Sequence, residues 1–456
     1  MRHELIQNKI EFTETELQKA ELDGYEIMLY QRSHALSRYA NSTIHQQVQT
    51  DTTWVRLRGF KGKKLQVIQT TATEENIKKA VEELKIAVRN APELGYFHGF
   101  IDKQNYQSVK VEAKLMDPEE RAELIGRIID RSNEIDPKSK VFGKVETLDF
   151  KYGIVNSNGV RGYHNFGYND IKILSIVETN GNRGYGREVI ASMDPKSIDA
   201  EKLTSSAVKI AQDASVAKSA EIGEYTVILR PQALTEMVGF TIYGLSANIY
   251  HQANSPFTDK LGEQVLSEKL TISDKPLSDN NFFASPFDGE GVAKRNIPLI
   301  ENGIPKVIMY DTLTASQYLE DKSLVSGHSI LPYSDYTWSS ISPMNLDVKS
   351  GDSSEQEMIE DTKRGILVQT FWYTNPVNPK EGILTGLTRD GLYFIEDGEI
   401  KYAIKNMRYT DSILNFFSEI DLISKTKRPI IDSDGGFTNS PVIKLAKMKF
   451  TGQSKH

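Results

Sequence analysis

A chain of 456 residues with 39% hydrophobic content has room for about two or three domains with sizeable cores. Its 55 basic and 62 acidic residues leave a formal charge of −7, which argues against a broad electrostatic footprint for nucleic acid. The absence of cysteine excludes disulfides, thiolate metal sites and a cysteine nucleophile, and no apolar run approaches the ~20 residues that a membrane-spanning helix needs.

The first residues, Met1 to Asn8, are too polar for a secretory signal, so a cytoplasmic protein with no membrane or nucleic-acid partner is expected. Residues 11–22 read as a short helix leading into a first strand at 25–30. From 35 to 70 the chain offers short β-type segments, among them 53–58 and 65–70, with a turn at Gly59 to Gly62, so a meander is the economical reading. Ile77, Ala80, Val81, Leu84, Ala87 and Val88 then share one helical face, with Thr71-x-x-Glu74 as its capping box. Asp117-Pro118-Glu119-Glu120 marks the next helix start: Asp117 can accept from free amide groups, Pro118 costs nothing in the first turn, and Glu120 sits at the positive helix end. Strands follow at 141–155, 161–168, 171–178 and 183–191, turning through Asn158-Gly159 and Asn180-Gly181, and a helix at 199–214 closes the set. Strands followed by a helix thus occur twice, and residues 39–44 echo 154–160, which points to a diverged internal duplication.

The polar segment 215–223 is the candidate boundary between an N-terminal α+β domain, residues 1–220, and a C-terminal β-rich domain, residues 221–456. A strand at 225–229 opens the second half. The helix expected at 231–250 starts with Pro231 and places Leu234, Met237, Val238, Ile242, Leu245 and Ile249 on one face, with Glu236 among them. Two hairpins follow at 297–304 and 392–400, turning through Asn302-Gly303 and Asp397-Gly398. A helix is expected at 353–364, and residues 366–373 read as a strand buried on both faces. Residues 453–456 are expected to fray. The fold class is α+β, two layers first and then a β-rich domain around a central helix.

Few residues carry chemistry by pattern alone. There is no phosphate-binding loop, and Gly184-Tyr185-Gly186 reads as a strand-end turn. Histidines 34, 45, 98, 164, 251 and 328 lack paired ligand spacing and read as structural. Ser215-x-x-Lys218, Ser278-Asp279-Asn280 and Lys349-Ser350-Gly351 mimic the order of serine β-lactamase motifs, but Ser215 ends a helix where a nucleophile would have to begin one. Arg389 and Asp390 read as a surface ion pair shaping a hairpin, or as pocket residues. The loop from Asp288 to Arg295 is either a pocket rim or an ordinary connection.

Several segments, in order, resemble the TldD/PmbA family of zinc peptidases, also labelled modulators of DNA gyrase. They are the helix at 231–250, Pro286 to Arg295, Leu299 to Ile304, Lys363 to Val368 with Phe371 to Tyr373, Leu384 to Gly391, and Ile395 to Ile400; Tyr39 to Ile44 looks like the family's first domain. The resemblance implies a metallopeptidase whose catalytic members carry H-E-x-x-x-H on that helix and a cysteine near the C-terminus. At the matching positions this chain has Thr235, Glu236 and Phe240. Thr235 and Phe240 would then be vestigial ligand positions and Glu236 a vestigial base, with no metal or cofactor in this chain. By the same resemblance the chain is TldE-like, a non-catalytic partner of a zinc-bearing TldD-like subunit or a homodimer, which presents unfolded peptide, with Arg389, Asp390, Asp288 and Arg295 as candidate contacts. The alternatives are a self-contained hydrolase built on Glu236, Arg389 and Asp390, and a peptide-binding scaffold. Leu234, Met237, Val238, Phe240 and Ile242 are expected to fill the volume that a metal and its ligands would take.

Overall fold

The computed structural model describes residues 4–279, 281–320, 325–331, 341–431 and 436–453. Asn280 and residues 454–456, on which two of the expectations above fall, lie outside the described residues. The first half is α1 (Glu4–Gln18), β1 (Gly24–Ala40), β2 (Thr43–Lys61), β3 (Lys64–Thr71), α2 (Glu74–Asn90), α3 (Pro118–Ile135), β4 (Lys140–Asn156), β5 (Arg161–Thr179), β6 (Asn182–Ser192) and α4 (Ala200–Ser215). Helix, three strands, helix therefore occurs twice. The six strands form one antiparallel sheet in the order β3-β2-β1-β4-β5-β6, two meanders joined back to back through their first strands.

Local chemistry explains most of these boundaries. Asp117 and Glu120 close a full capping box on α3, and Asn41 and Ser42 adopt the left-handed conformation that a tight β1–β2 turn needs. Other boundaries differ from expectation. α1 starts at Glu4, not residue 11; Gly59 and Phe60 lie inside β2; and β5 is one strand of 19 residues where two short ones were expected. The cap of α2 is Thr73, whose side chain accepts from Asn76 N, and not Thr71. Gly184 and Gly186 are inside β6, where an added Cβ would lie 1.9 and 2.0 Å from α4 carbonyl oxygens; they allow close helix–sheet packing and form no turn.

Strand alternation gives the sheet two different faces. Ile27, Leu29, Val55 and Leu57 point to α1 and α2, and Val141, Val145, Ile171 and Ile173 to α3 and α4. The opposite face is aromatic. Met28, Tyr30, Phe150, Tyr152 and Phe166 form a cluster with Phe282, Phe283, Phe287 and Phe437 from the second half of the chain.

That second half is β7 (Gly223–Leu229), α5 (Pro231–Tyr243), α6 (Ala247–His251), β8 (Ile272–Asp274), β9 (Ile297–Glu301), β10 (Ile304–Pro305), α7 (Thr312–Tyr318), β11 (Asn345–Val348), α8 (Glu355–Glu360), β12 (Arg364–Asn378), β13 (Ile383–Glu396), β14 (Glu399–Ala403), β15 (Met407–Ser412), α9 (Ile413–Phe416), β16 (Ile420–Ile431) and β17 (Phe437–Gln453). Its strands form an eleven-stranded mixed sheet in which β17 pairs with β7, β11, β15 and β16. Both expected hairpins are present, with Asn302-Gly303 and Asp397-Gly398 at positive φ. The single helix expected at 231–250 is broken at Gly244, where the backbone turns so that Ser255 Oγ donates to Gly244 O and Leu245 packs inward. α8 is shorter than the expected 353–364.

Candidate functional site

α5 has Pro231 at its first position and Arg230 as N-cap. Arg230 makes no capping bond; its guanidinium pairs with Glu355 at 2.6 Å and donates to Gln369 Oε1 at 2.8 Å. Leu234, Met237, Val238 and Ile242 are fully buried in the core beneath the large sheet, while Phe240 only partly enters it. Phe240 is thus a rim residue, contrary to the expectation that it fills the interior.

Three polar side chains share this apolar helix. The Thr235 hydroxyl and both amide atoms of Gln232 are buried without a hydrogen-bond partner among the described residues. Glu236 is also largely enclosed. Burial pushes its carboxyl above the ordinary range, although the Thr374 hydroxyl and amide of β12 favour the charged form. Thr374 Oγ1 lies 2.7 Å from the Tyr409 hydroxyl of β15, and burial raises Tyr409 as well. Glu236 therefore faces neutral groups, with no cation among the described residues to hold its charge.

Beside it runs an open strand edge. β12 pairs with β7 only from Gly365 to Val368, whereas its pairing with β13 continues to Asn378. Beyond Val368 its other edge carries no strand among the described residues, and Trp372 is 42% and Tyr373 75% exposed. The expected burial on both faces thus ends at Phe371. The reason is that β7 stops at Leu229 and the chain turns into α5.

The other sequence candidates are distributed unevenly. Arg389 and Asp390 lie inside β13, where Asp390 takes a φ of 55° and Gly391 one of 129°. They do not shape a hairpin turn. Asp390 is buried and accepts from Arg187 Nε of β6 at 2.7 Å, while Arg389 lies over the Trp372 ring at 4.1 Å. Arg389 thus borders the open edge, and Asp390 ties the two sheets together. Asp288 belongs elsewhere: it is fully buried against the N-terminal sheet and accepts from the backbone N–H groups of Glu290, Val292 and Ser329. Arg295 is exposed on the connection after it. The lactamase-like order has no spatial counterpart, because Ser215 bonds to Thr179 and Gln212 at the end of α4 and Lys218 lies over the Tyr402 ring. Thr374, Tyr409, Gln369 and Arg187 were missed by sequence reasoning. They are far from α5 along the chain and sit in no motif.

Zinc is held in proteins by nitrogen, sulfur and carboxylate donors. At the positions that the sequence resemblance sets against metal ligands, Thr235 offers a hydroxyl and Phe240 no donor, and the chain has no cysteine, so these residues do not fit the metal. Among the described residues no group of three or more His, Cys, Asp or Glu is placed to hold a metal.

Residues 222–452, just over half of the chain, match the PmbA/TldA metallopeptidase C-terminal domain. The chain belongs to the PmbA/TldD family. A metalloprotease of Methanocaldococcus jannaschii is 28% identical over 261 residues, 55% of this chain and 54% of that protein. A zinc metalloprotease TldD homologue of Saccharolobus solfataricus is 28% identical over 50% of this chain and 52% of its own length. The chain thus spans about half the length of these metalloprotease relatives. Over nearly the whole length, the fold is that of the crystal structure of TldE from Thermococcus kodakarensis, with a TM-score of 0.88 and 21% identity, covering 98% of this chain and 100% of that one.

Proposed function

We propose that this PmbA/TldD-family chain is a metal-free, non-catalytic subunit, TldE-like in role, that works with a zinc-bearing TldD-like partner on unfolded peptide. The observation that carries this reading is the chemistry around Glu236. Activating water at neutral pH needs a metal to lower its pKa, and the groups facing Glu236 are the hydroxyl and amide of Thr374 and, beyond them, the Tyr409 hydroxyl. Thr235 and Phe240 stand where the family resemblance places histidines. A division into two domains near residue 220 is part of the same proposal.

Peptide would be held by strand addition. The β12 edge from Gln369 to Asn378 offers backbone groups without a strand partner, and such pairing gives affinity with little sequence preference. Trp372, Tyr373 and Arg389 would contact alternate side chains. A self-contained hydrolase built on Glu236, Arg389 and Asp390 is less well supported, since Asp390 is neutralised by Arg187 and held in β13.

Elemental analysis of the purified chain is expected to find no stoichiometric zinc, and cleavage of an unfolded peptide is expected only when a subunit carrying H-E-x-x-x-H is added. One zinc per chain that disappears in Glu236→Ala, or chelator-insensitive cleavage by the chain alone, would overturn the proposal. Binding of peptide by the chain with no gain of cleavage in any pairing would favour the scaffold reading.

A further inference from the structure

A second site lies in the N-terminal sheet, away from α5. A cavity of about 230 Å³ opens where β1, β2 and β4 meet the start of α3, lined among others by His34, Thr147, Asp149, Met116, Asp117 and Arg121. Pockets for drug-sized ligands run to roughly 300–1,000 Å³, so this one suits a smaller molecule.

The informative side chain is Arg121. It is only 3% exposed, yet it has no carboxylate within ion-pair range among the described residues. Its Nε donates to Ser37 Oγ at 3.2 Å and its Nη1 to Met116 O at 2.8 Å. Those two bonds fix the guanidinium plane at the wall of the cavity and leave Nη2 without a hydrogen-bond partner among the described residues. A buried guanidinium is normally matched by an anion, and a carboxylate is the anion its planar edge fits best. Burial pushes Arg121 below its usual range, and the nearby charge of Asp117 only partly offsets that.

The same cavity holds the opposite charge. Asp149 lines it from β4, with Oδ2 at 2.8 Å from Lys151 Nζ. Asp117 spends Oδ1 on the Glu120 amide as the helix cap. His34 is already engaged by Glu146 at 3.2 Å. A phosphate would meet two carboxylates here, and a simple amine would meet the guanidinium. A molecule that carries both a carboxylate and an ammonium group satisfies both ends.

We propose that the cavity between β1, β4 and the start of α3 binds a free α-amino acid, with its carboxylate on Arg121 Nη2 and its ammonium group on Asp149. The site is independent of α5 and does not depend on the peptidase reading.

The test is calorimetric titration of the full chain with L-alanine, propionate, ethylamine, a tripeptide with a free carboxylate and the same tripeptide amidated at that end. Saturable binding of L-alanine, about tenfold weaker binding of propionate and none of ethylamine are expected. Arg121→Met is expected to abolish binding; because Arg121 also holds Ser37 and Met116, Asp149→Asn is the second variant, which leaves those bonds intact and should weaken L-alanine by about tenfold without changing propionate. Absence of saturable L-alanine binding overturns the proposal, as does L-alanine binding unaltered in Asp149→Asn. If the free-carboxylate tripeptide binds and L-alanine does not, the site reads chain ends, and the assignment to a free amino acid is wrong.

Discussion

Where the two sheets meet, two buried arginines are held by carboxylates and a backbone carbonyl; on α5 the Glu236 carboxyl has no cationic partner among the described residues. Arg58 of β2 donates to Glu290 Oε1 at 2.6 Å and to Glu26 Oε1 at 3.1 Å, Glu290 accepts from the Thr312 amide and hydroxyl, and Arg56 donates to Gly289 O at 2.6 Å. Tyr152 meets Ser285 at 2.6 Å and Tyr106 donates to Gly291 O at 2.7 Å, so the loop at 285–291 is seated at many points. Glu236 has two hydroxyls and an amide near it, and Gln232 and Thr235 beside it have nothing. The unpartnered groups on α5, next to an open strand edge, are the features on which the proposed peptide contact rests.

The sharpest way to break this contrast is to remove one partner from the seam. Glu290→Ala leaves Arg58 facing only Glu26 and should destabilise the protein by about 3–5 kcal/mol in denaturant melts. A loss below about 1 kcal/mol would mean that the seam is not a matched network. A second test uses pH. Burial and the charge of Glu290 push Asp288 up to about 7 and Asp311 up to about 6, so the folded state keeps protons there that the unfolded chain releases near pH 4. Stability should therefore fall as pH rises from about 4 to 7, and Asp288→Asn should flatten that fall; an unchanged slope in the variant would assign it to other groups. At more acid pH the sign reverses. Glu146 is buried, which opposes its charge, but His34 and Lys144 outweigh that and hold it at about 2, so its contribution is lost only as pH approaches that value.

On α5 the expected changes are smaller. Trp372→Ala with Tyr373→Ala should weaken unfolded-peptide binding about tenfold while stability moves by less than about 0.5 kcal/mol, because both rings are exposed. Equal peptide affinity in fluorescence titration would move the contact away from β12. Thr235→Val removes an unpartnered hydroxyl and should be neutral or stabilising by up to about 1 kcal/mol. A clear loss in its thermal midpoint would reveal a partner for that hydroxyl.

What was legible in the sequence was local. Asp117 with Glu120 and the Asn-Gly and Asp-Gly turns announce themselves over a few residues, and each is where it was expected. Strand lengths were not legible, since β5 is continuous through Tyr168 to Ile171, where a pairing partner on each side overrides the break in the pattern. The family was carried by a series of segments in order, and Glu236 by its place in one of them. Thr374, Tyr409 and Arg187 were invisible because they reach their partners only through the sheet topology. The burial of Asp288 and Asp390 depends on contact between the two sheets, which no periodicity encodes.

The place of β17 sets a timetable. Thr226 of β7 bonds to Ala446 across 220 residues of chain, and the same strand carries β11, β15 and β16. During synthesis the first sheet, whose neighbours are consecutive strands except for the β1–β4 pair, can assemble early. In the larger sheet β7, β11 and β15 each lack one neighbour and β16 its strand partner until this segment emerges, so that half is expected to fold slowly and to be the one that most needs shielding from aggregation.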